Sequence, residues 1–239
     1  MPNLRLDQAL VQRGLVATRS QAEHYIKLGY VSVNGRTILK AGTPIRPDHK
    51  IALSVSEQYV SRAALKLASV VAALKLDFEN KIVLDVGSST GGFTDYALKH
   101  GAAQVIAVDV GSDQMHPSLR GDKRLELYEK TDIRDFKPTI KPNIILIDVS
   151  FISLRAVLPA AAALGTKDTQ IVAMLKPQFE AGEKQINKGI VKNDKIRRQI
   201  LSDFEQWAKD QRFTIGAKAD SGVAGTKGNL ERFYRLSQA

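Results

Sequence analysis

The chain contains no cysteine, so it can form neither a disulfide framework nor a cysteine-ligated zinc site. That absence suits a reducing compartment. The opening Met-Pro-Asn-Leu-Arg-Leu-Asp has no apolar core, so no secretory signal is expected. The longest apolar stretch, Val157 to Gly165, is too short to span a bilayer. These absences make a cytoplasmic location the default and leave a membrane-lytic protein without an export route or an inserting segment. There is no Lys in Walker position and no G-x-G-x-x-G spacing, which argues against a P-loop and weakens a dinucleotide site.

Positive charge is what the chain has in excess, with a formal net charge of +10 over 239 residues. A basic surface attracts polyanions, nucleic acid first and anionic membrane second. The charge is uneven. Residues 1–53 hold eight lysines and arginines against three acids, about half of the surplus in less than a quarter of the chain. Within that segment Leu6, Leu10, Val11 and Leu15 recur at helical spacing, and Gly14 closes the helix. Thr18 can cap a second helix from Arg19 to Leu28, stopped by Gly29. Tyr30 to Val33 alternates as a strand, Asn34-Gly35 signals a hairpin, and Ile45 and Ile51 to Val55 suggest further short strands.

Residues 54–60 read as a linker, and from 61 to 239 strands and helices alternate. Strands are expected at Lys81–Val86, Gln104–Val110, Leu125–Lys130, Asn143–Val149 and Gln170–Leu175. All but the third are nearly continuous apolar runs, as in strands buried on both faces. Arg212–Ala219 and Arg232–Leu236 suggest an antiparallel pair at one edge. The fold class is therefore α/β, a doubly wound Rossmann-like sheet, with a small α+β domain before it.

The first of these strands ends in Asp85, followed by Gly87-Ser88-Ser89-Thr90-Gly91-Gly92-Phe93. An acid at a strand end before a Gly-rich turn is what a nucleotide-like ligand requires, because glycine lets the backbone approach it. Asp109, ending the next strand, can accept both hydroxyls of a ribose, and Asp132 lies where an adenine amino group could be bound. Three acids on adjacent strand ends suit adenosine; any of them could instead cap a helix or turn. Gly87, Ser88, Thr90, Gly91, Gly92 and Phe93 complete the candidate cofactor site.

Four further residues can converge over the same edge: Lys66 before the first strand, Asp148 ending the fourth, Lys176 after the fifth and Glu231 entering the last. A ribose hydroxyl is a weak nucleophile, so its methylation requires a group to orient it, to stabilise developing charge and to accept its proton. Lys176 is placed nearest the hydroxyl, as a base if burial and Lys66 depress its pKa. Asp148 would orient Lys176, and Lys66 and Glu231 would complete the network. The alternative is four unrelated surface charges, the usual fate of Lys and Glu.

Residues 4–53 resemble the S-four-like RNA-binding domain, through Arg5-Leu6-Asp7 and the run Arg19-x-x-Ala22-x-x-x-Ile26-x-x-Gly29-x-Val31-x-Val33-Asn34-Gly35. Residues 59–236 resemble the FtsJ-type ribose 2′-O-methyltransferases, whose Lys-Asp-Lys-Glu tetrad matches Lys66, Asp148, Lys176 and Glu231. With Ser61-Arg62, Lys176-Pro177-Gln178-Phe179-Glu180-Ala181-Gly182 and Lys227-Gly228-Asn229, the whole is similar to the TlyA family, whose members are often labelled hemolysins. The resemblance implies S-adenosyl-L-methionine as cofactor, no metal, and cytidine 2′-O-methylation of ribosomal RNA, in the large subunit and in some members the small one. It implies ribosomal RNA or ribosomal subunits as partner, with a monomer favoured. Arg5, Arg13, Arg19, Lys27, Asn34 and Arg36 are the expected RNA-facing residues. The chain departs from the family at Ala63-Ala64, where two glycines are usual, and in Ser221 to Thr226, which lacks a proline. A non-catalytic RNA-binding or ribosome-assembly factor would keep the fold and basic face without needing the tetrad. Lys and Arg between Lys184 and Arg198 extend the basic surface or form a solvated helix face.

Overall fold

The structure, a computed structural model, describes residues 4–16, 18–27, 29–54, 59–182, 185–186, 189–191, 193–225 and 227–238, and of Ser20, His24 and Lys27 the backbone alone. The side chain expected of Lys27, most of the 54–60 stretch, and Lys184, Lys188 and Lys192 of the basic run lie outside the described residues. The chain divides into two compact units, Met1–Arg62 and Ala63–Ala239.

In the first unit, β1 (Leu4–Arg5) leads into α1 (Leu6–Gln12) and α2 (Arg19–Lys27), followed by β2 (Val31–Val33), β3 (Arg36–Thr37), β4 (Pro44–Ile45) and β5 (Ile51–Leu53). Thr18 Oγ1 accepts the Gln21 N–H at 3.2 Å, the side-chain cap that its position foretells. Asn34 and Gly35 both have positive φ, 50° and 79°, as a two-residue hairpin loop between β2 and β3 demands. β2 is the middle strand, between β3 and β5, and β1 pairs with β4. Leu6, Leu10, Tyr25, Ile26 and Val31 are completely buried and form the core of this unit. Strands are shorter than expected, and Tyr30 lies outside β2, although its carbonyl still accepts from Ser54 N at 2.8 Å.

α3 (Arg62–Ala68) starts at the last residue of the first unit and carries the chain into the second, where α4 (Val71–Leu74) follows. Then come β6 (Ile82–Val86), α5 (Gly92–Lys99), β7 (Gln104–Val108), β8 (Leu125–Tyr128), β9 (Ile144–Ile147), α6 (Leu154–Ala163), β10 (Gln170–Leu175), α7 (Pro177–Glu180), α8 (Asp194–Asp210), β11 (Phe213–Asp220) and β12 (Arg232–Gln238). The strands form one seven-stranded sheet in the order β11-β12-β10-β9-β6-β7-β8. β6 to β10 are parallel, and β12 runs antiparallel to both β10 and β11. The expected antiparallel pair is present, with β12 inserted beside β10 and β11 outermost.

The apolar runs find their reason here. All four residues of β9 are buried, since helices cover both faces of the central strands. α6 packs Leu154, Leu158 and Ala161, and α8 packs Ile200, Leu201, Phe204 and Ala208, against Val86, Ile147 and Leu175. Spacing of i, i+1, i+4 and i+8 puts the α8 set on one stripe. Truncating Phe204 to alanine in this core costs about 3–5 kcal/mol. β8, which alternates more in sequence, is an edge strand with every residue half-buried.

Winding proceeds from β6 out to β7 and β8, then returns to β9 on the other side of β6. The two directions part between β6 and β9, so a crevice opens at the carboxyl ends of these strands.

Candidate active site

The crevice begins at Asp85, one residue before the end of β6. Asp85 is completely buried and its Oδ2 accepts a 2.6 Å hydrogen bond from Thr94 Oγ1 on α5. Burial pushes the carboxyl up to about 7, against the lowering effect of Thr94 and with help from the negative charges of Asp148 and Asp109. Its Oδ1 and the Oγ of Ser88 are buried and have no hydrogen-bond partner among the described residues. Buried polar atoms are rarely left so without a ligand or water to meet them. Gly87, between them, has φ +80°, and a Cβ there would lie 2.7 Å from the carbonyl oxygen of Asp148. Only glycine lets the β6–α5 turn pass so close to the end of β9.

Three adjoining cavities follow the strand ends. The first, about 590 Å³, is lined by Gly87, Asp109, Asp132, Ile133, Asp148 and Val149 among others. The second, about 140 Å³, shares Gly87, Ser89, Asp148 and Ser150 with the first and is lined also by Asp85, Ser88, Thr90, Gly92, Phe93 and Lys176. The third, about 490 Å³, shares Ser150 and Lys176 with the second and adds Lys66, Phe179 and Glu231. Lys176 thus stands at the partition between the small cavity and the third. Of the expected glycines, Gly91 lines none of these three cavities; it packs toward Met115 and Leu119 as the residue before α5.

The first cavity contains two of the three expected acids in different states. Asp109 is fixed by backbone donors, its Oδ2 accepting from Ser89 at 2.8 Å and its Oδ1 from Gly111 at 2.7 Å. Asp132 pairs with Arg134 through both oxygens, at 2.9 and 2.6 Å, and accepts the Arg134 backbone N–H. The Arg134 hydrogen bonds hold the Asp132 carboxyl down at about 2.

The four candidate catalytic residues form two ion pairs. Lys176 Nζ lies 2.5 Å from Asp148 Oδ1 and donates to Ser150 Oγ at 2.8 Å. Lys66 Nζ lies 2.6 Å from Glu231 Oε2. All four side chains are at most 14% exposed, far below the usual state of Lys and Glu. The reading as unrelated surface charges therefore fails on burial and distance. The Phe179 ring centroid lies 6.0 Å from Lys176 Nζ, within range of a cation–π contact.

Several residues with a role here were not singled out from sequence. Thr94 holds Asp85, and Ser150 holds Lys176. Glu180, inside the Lys-Pro-Gln-Phe-Glu run, caps α6 by accepting from Ser153 Oγ at 2.7 Å and Leu154 N at 2.6 Å. Phe151 is 92% exposed, with φ 64°, and its ring meets Phe179 at 5.3 Å. An aromatic three residues after a strand-end acid and a hydroxyl at the third position of α5 are weak signals, since spacing does not tell which way either side chain points.

In the first unit, four of the six expected RNA-facing residues have an intramolecular partner. Arg5 and Arg19 both pair with the buried Asp7, at 3.0 and 2.9 Å, and each stays half exposed. Burial alone would raise the Asp7 carboxyl, but the two guanidiniums outweigh it and hold it at about 2. Arg13 donates to the carbonyls of His49, Arg46 and Pro47. Asn34 Oδ1 accepts from Lys50 N at 2.8 Å. Arg36 is exposed on β3. No helix among the described residues is long and apolar enough to cross a membrane, and among them no group of acids and histidines could hold a metal ion.

Comparison with known proteins places this arrangement. The FtsJ-like methyltransferase family matches residues 59–237, and the S4 domain matches residues 4–51. The chain is 36% identical to the 16S/23S rRNA (cytidine-2′-O)-methyltransferase TlyA of Mycobacterium tuberculosis, over 97% of this chain and 89% of the relative. The chain belongs to the TlyA family of FtsJ-like methyltransferases. Another TlyA relative, the 23S rRNA (cytidine-2′-O)-methyltransferase of Campylobacter jejuni, is 41% identical over 75% of this chain and 71% of its own. A solved Streptococcus thermophilus structure carrying a provisional hemolysin label superposes with a TM-score of 0.74 at 38% identity, covering all of this chain and 90% of that one. In this TlyA-family chain, Ala63, one of its departures from the family pattern, lines the small cavity beside Asp85 and Ser88.

Proposed function

We propose that this protein transfers a methyl group from S-adenosylmethionine to a ribose 2′-hydroxyl of cytidine in ribosomal RNA of the large subunit. One observation carries the reading: the buried Lys176–Asp148 and Lys66–Glu231 pairs flank one cavity that adjoins an acid-lined crevice at the carboxyl edge of the sheet. The relatives' activity supports the same choice of substrate.

The residues present fit the cofactor. Asp109, held by two backbone donors, keeps lone pairs for ribose hydroxyls, and Asp132 for an adenine amino group. Asp85 Oδ1 and Ser88 Oγ, both without partners among the described residues, would meet the methionyl end in the small cavity. When bound, S-adenosylmethionine supplies an electrophilic methyl on a good leaving group.

The protein's own residues address the other reactant. Lys176 Nζ holds the ribose hydroxyl at the opening of the small cavity. As the new O–C bond forms, the O–H bond breaks and its proton passes to the Lys176 amine, which has first given the extra proton of its ammonium form to solvent and so offers a lone pair. Asp148, 2.5 Å away, stabilises the ammonium that results, and Ser150 fixes its direction. Lys66, neutralised in part by Glu231, adds positive field to the developing alkoxide.

Tritiated S-adenosylmethionine offered with intact ribosomal subunits tests this. Incorporation into ribosomal RNA by the wild type, lost in Lys176→Ala, is expected. Equal incorporation by both would remove Lys176 from the chemistry, and none by either despite cofactor binding would point to a different RNA.

A further inference from the structure

The loop that carries Asp148 and Ser150 is tied down at a second place, away from the reacting groups. Residues 148–153 lead from β9 into α6, and residues 176–180 lead from β10 through α7. At one end the two segments meet through Lys176, whose Nζ pairs with Asp148 and donates to Ser150 Oγ at 2.8 Å. At the other end they meet through Glu180, whose side chain is only 2% exposed. Its Oε2 accepts from Ser153 Oγ at 2.7 Å and its Oε1 from Leu154 N at 2.6 Å, while Arg155 Nε stands 3.6 Å from Oε2. Between the two ties the rings of Phe151 and Phe179 meet at 5.3 Å.

Helix capping alone does not account for so buried a carboxylate, because Ser153 already caps α6 by accepting from Arg155 N at 3.2 Å. Two properties of the loop say what the second tie does. Phe151 has φ 64°, which a bulky side chain disfavours, so local preference does not hold the loop in this shape and contacts from outside must. The tie at Lys176 also weakens during the reaction. A lysine that has given up its ammonium proton attracts Asp148 far less than before, whereas the contacts of Glu180 do not involve Lys176 and persist. We propose that Glu180 clasps the 148–153 loop to α7 and so keeps Asp148 and Ser150 within reach of Lys176 while the lysine is uncharged. This rests on the reading of the site as a ribose 2′-O-methyltransferase with Lys176 at the hydroxyl. Glu180 lines none of the three cavities and is a positioning residue, acting through the loop.

The test compares wild type, Glu180→Ala, Glu180→Gln and Ser153→Ala in methylation of ribosomal subunits at saturating S-adenosylmethionine. Values of kcat and KM are read separately and corrected for the folded fraction. Glu180→Ala should lower kcat about 10²-fold and leave KM for the subunits near that of the wild type. Glu180→Gln accepts from Leu154 N through Oε1 and donates from Nε2 to Ser153 Oγ, so it should return to within about 5-fold of the wild type. Ser153→Ala removes one of the two contacts and should lower kcat about 5-fold. It should add little to Glu180→Ala, because both remove the same tie. Ser153→Ala and Glu180→Gln carry the test if Glu180→Ala does not fold. Wild-type kcat in Glu180→Ala or in Ser153→Ala would overturn the assignment. So would a loss that falls on KM instead of kcat, or a Glu180→Gln as slow as Glu180→Ala. Failure of the wild type to methylate ribosomal RNA would overturn the underlying reading and the clasp with it, whereas the other contrary results need an active wild type and overturn the clasp alone.

Discussion

Lys176 and Asp148 meet across the ends of two adjacent parallel strands, Nζ 2.5 Å from Oδ1, with both side chains largely buried. Neither residue is near the other in sequence, and neither strand could place its charge there unless β9 and β10 were neighbours. An ion pair formed out of water has a definite consequence: removing one partner leaves the other charged and unmatched.

Asp148→Ala should therefore damage stability as well as rate. Loss of one member of a buried pair costs about 3–5 kcal/mol, and the turnover of any properly folded fraction should fall about 10²–10⁴-fold. Asp148→Asn keeps a hydrogen-bond acceptor beside Lys176 and should recover much of the stability but little of the rate. Chemical denaturation of both variants beside single-turnover assays separates the two effects; equal rates in Asp148→Asn and wild type would deny Asp148 its electrostatic role.

Asp85 makes the second unit's stability pH-dependent in an unusual direction. Its carboxyl is raised from an ordinary value near 3.8 to about 7 in the folded protein, so the unfolded chain releases this proton more readily. The associated stability is fully present below pH 4 and is lost as pH rises through 7, with an upper limit on the order of 4 kcal/mol. Asp7 acts oppositely in the first unit: held at about 2, it contributes above pH 4 and is lost only in strong acid. Urea melts at pH 5 and pH 8 should show the second unit weaker at pH 8, and Asp85→Asn should flatten that difference. An unchanged slope in Asp85→Asn would place the pH dependence elsewhere.

Gly87→Ala should abolish cofactor binding while leaving the first unit intact. The new Cβ meets the Asp148 carbonyl at 2.7 Å in a backbone conformation that alanine disfavours, a combined strain of about 2–4 kcal/mol at this turn. Isothermal titration with S-adenosylmethionine reads the result, and wild-type affinity would show that the turn has room to spare.

The Arg5–Asp7–Arg19 cluster separates folding from RNA contact. Asp7→Ala should destabilise the first unit by about 1–2 kcal/mol, since the two arginines that lose their acceptor are half exposed and can be met by water. Arg36→Ala should leave stability within about 0.5 kcal/mol and reduce the salt dependence of RNA binding by about one charge. Filter binding over a salt series checks the second effect; an unaltered slope would take Arg36 off the RNA surface.

Much of this architecture is legible in the sequence because its signals are local or strictly periodic. Continuous apolar runs mark β6, β7, β9 and β10 as strands covered on both faces, and Asp85 and Gly87 mark the tight turn that passes close to the end of β9. Thr18 and Asn34-Gly35 work the same way in the first unit. What stays hidden is direction. The sequence does not tell that Gly91 turns from the cavities toward Met115, or that Arg13 and Asn34 hold their own backbone. It does not show that Thr94 faces Asp85 or that Ser150 faces Lys176. Nor does periodicity reveal that β12 slips between β10 and β11, although this insertion, with Glu231 just before Arg232, carries Glu231 to Lys66. Such contacts depend on which elements become neighbours, and spacing along one chain does not encode that by itself.

The most direct test of the account is the position of the methyl group. Ribosomal RNA from cells lacking this protein, treated with purified enzyme and S-adenosylmethionine, should be digested to nucleosides and analysed by mass spectrometry. The account predicts a gain of 2′-O-methylcytidine, absent with Lys176→Ala, together with resistance of one linkage to alkaline cleavage. A methyl group found on a base, or a gain of 2′-O-methylcytidine that survives Lys176→Ala, would contradict it.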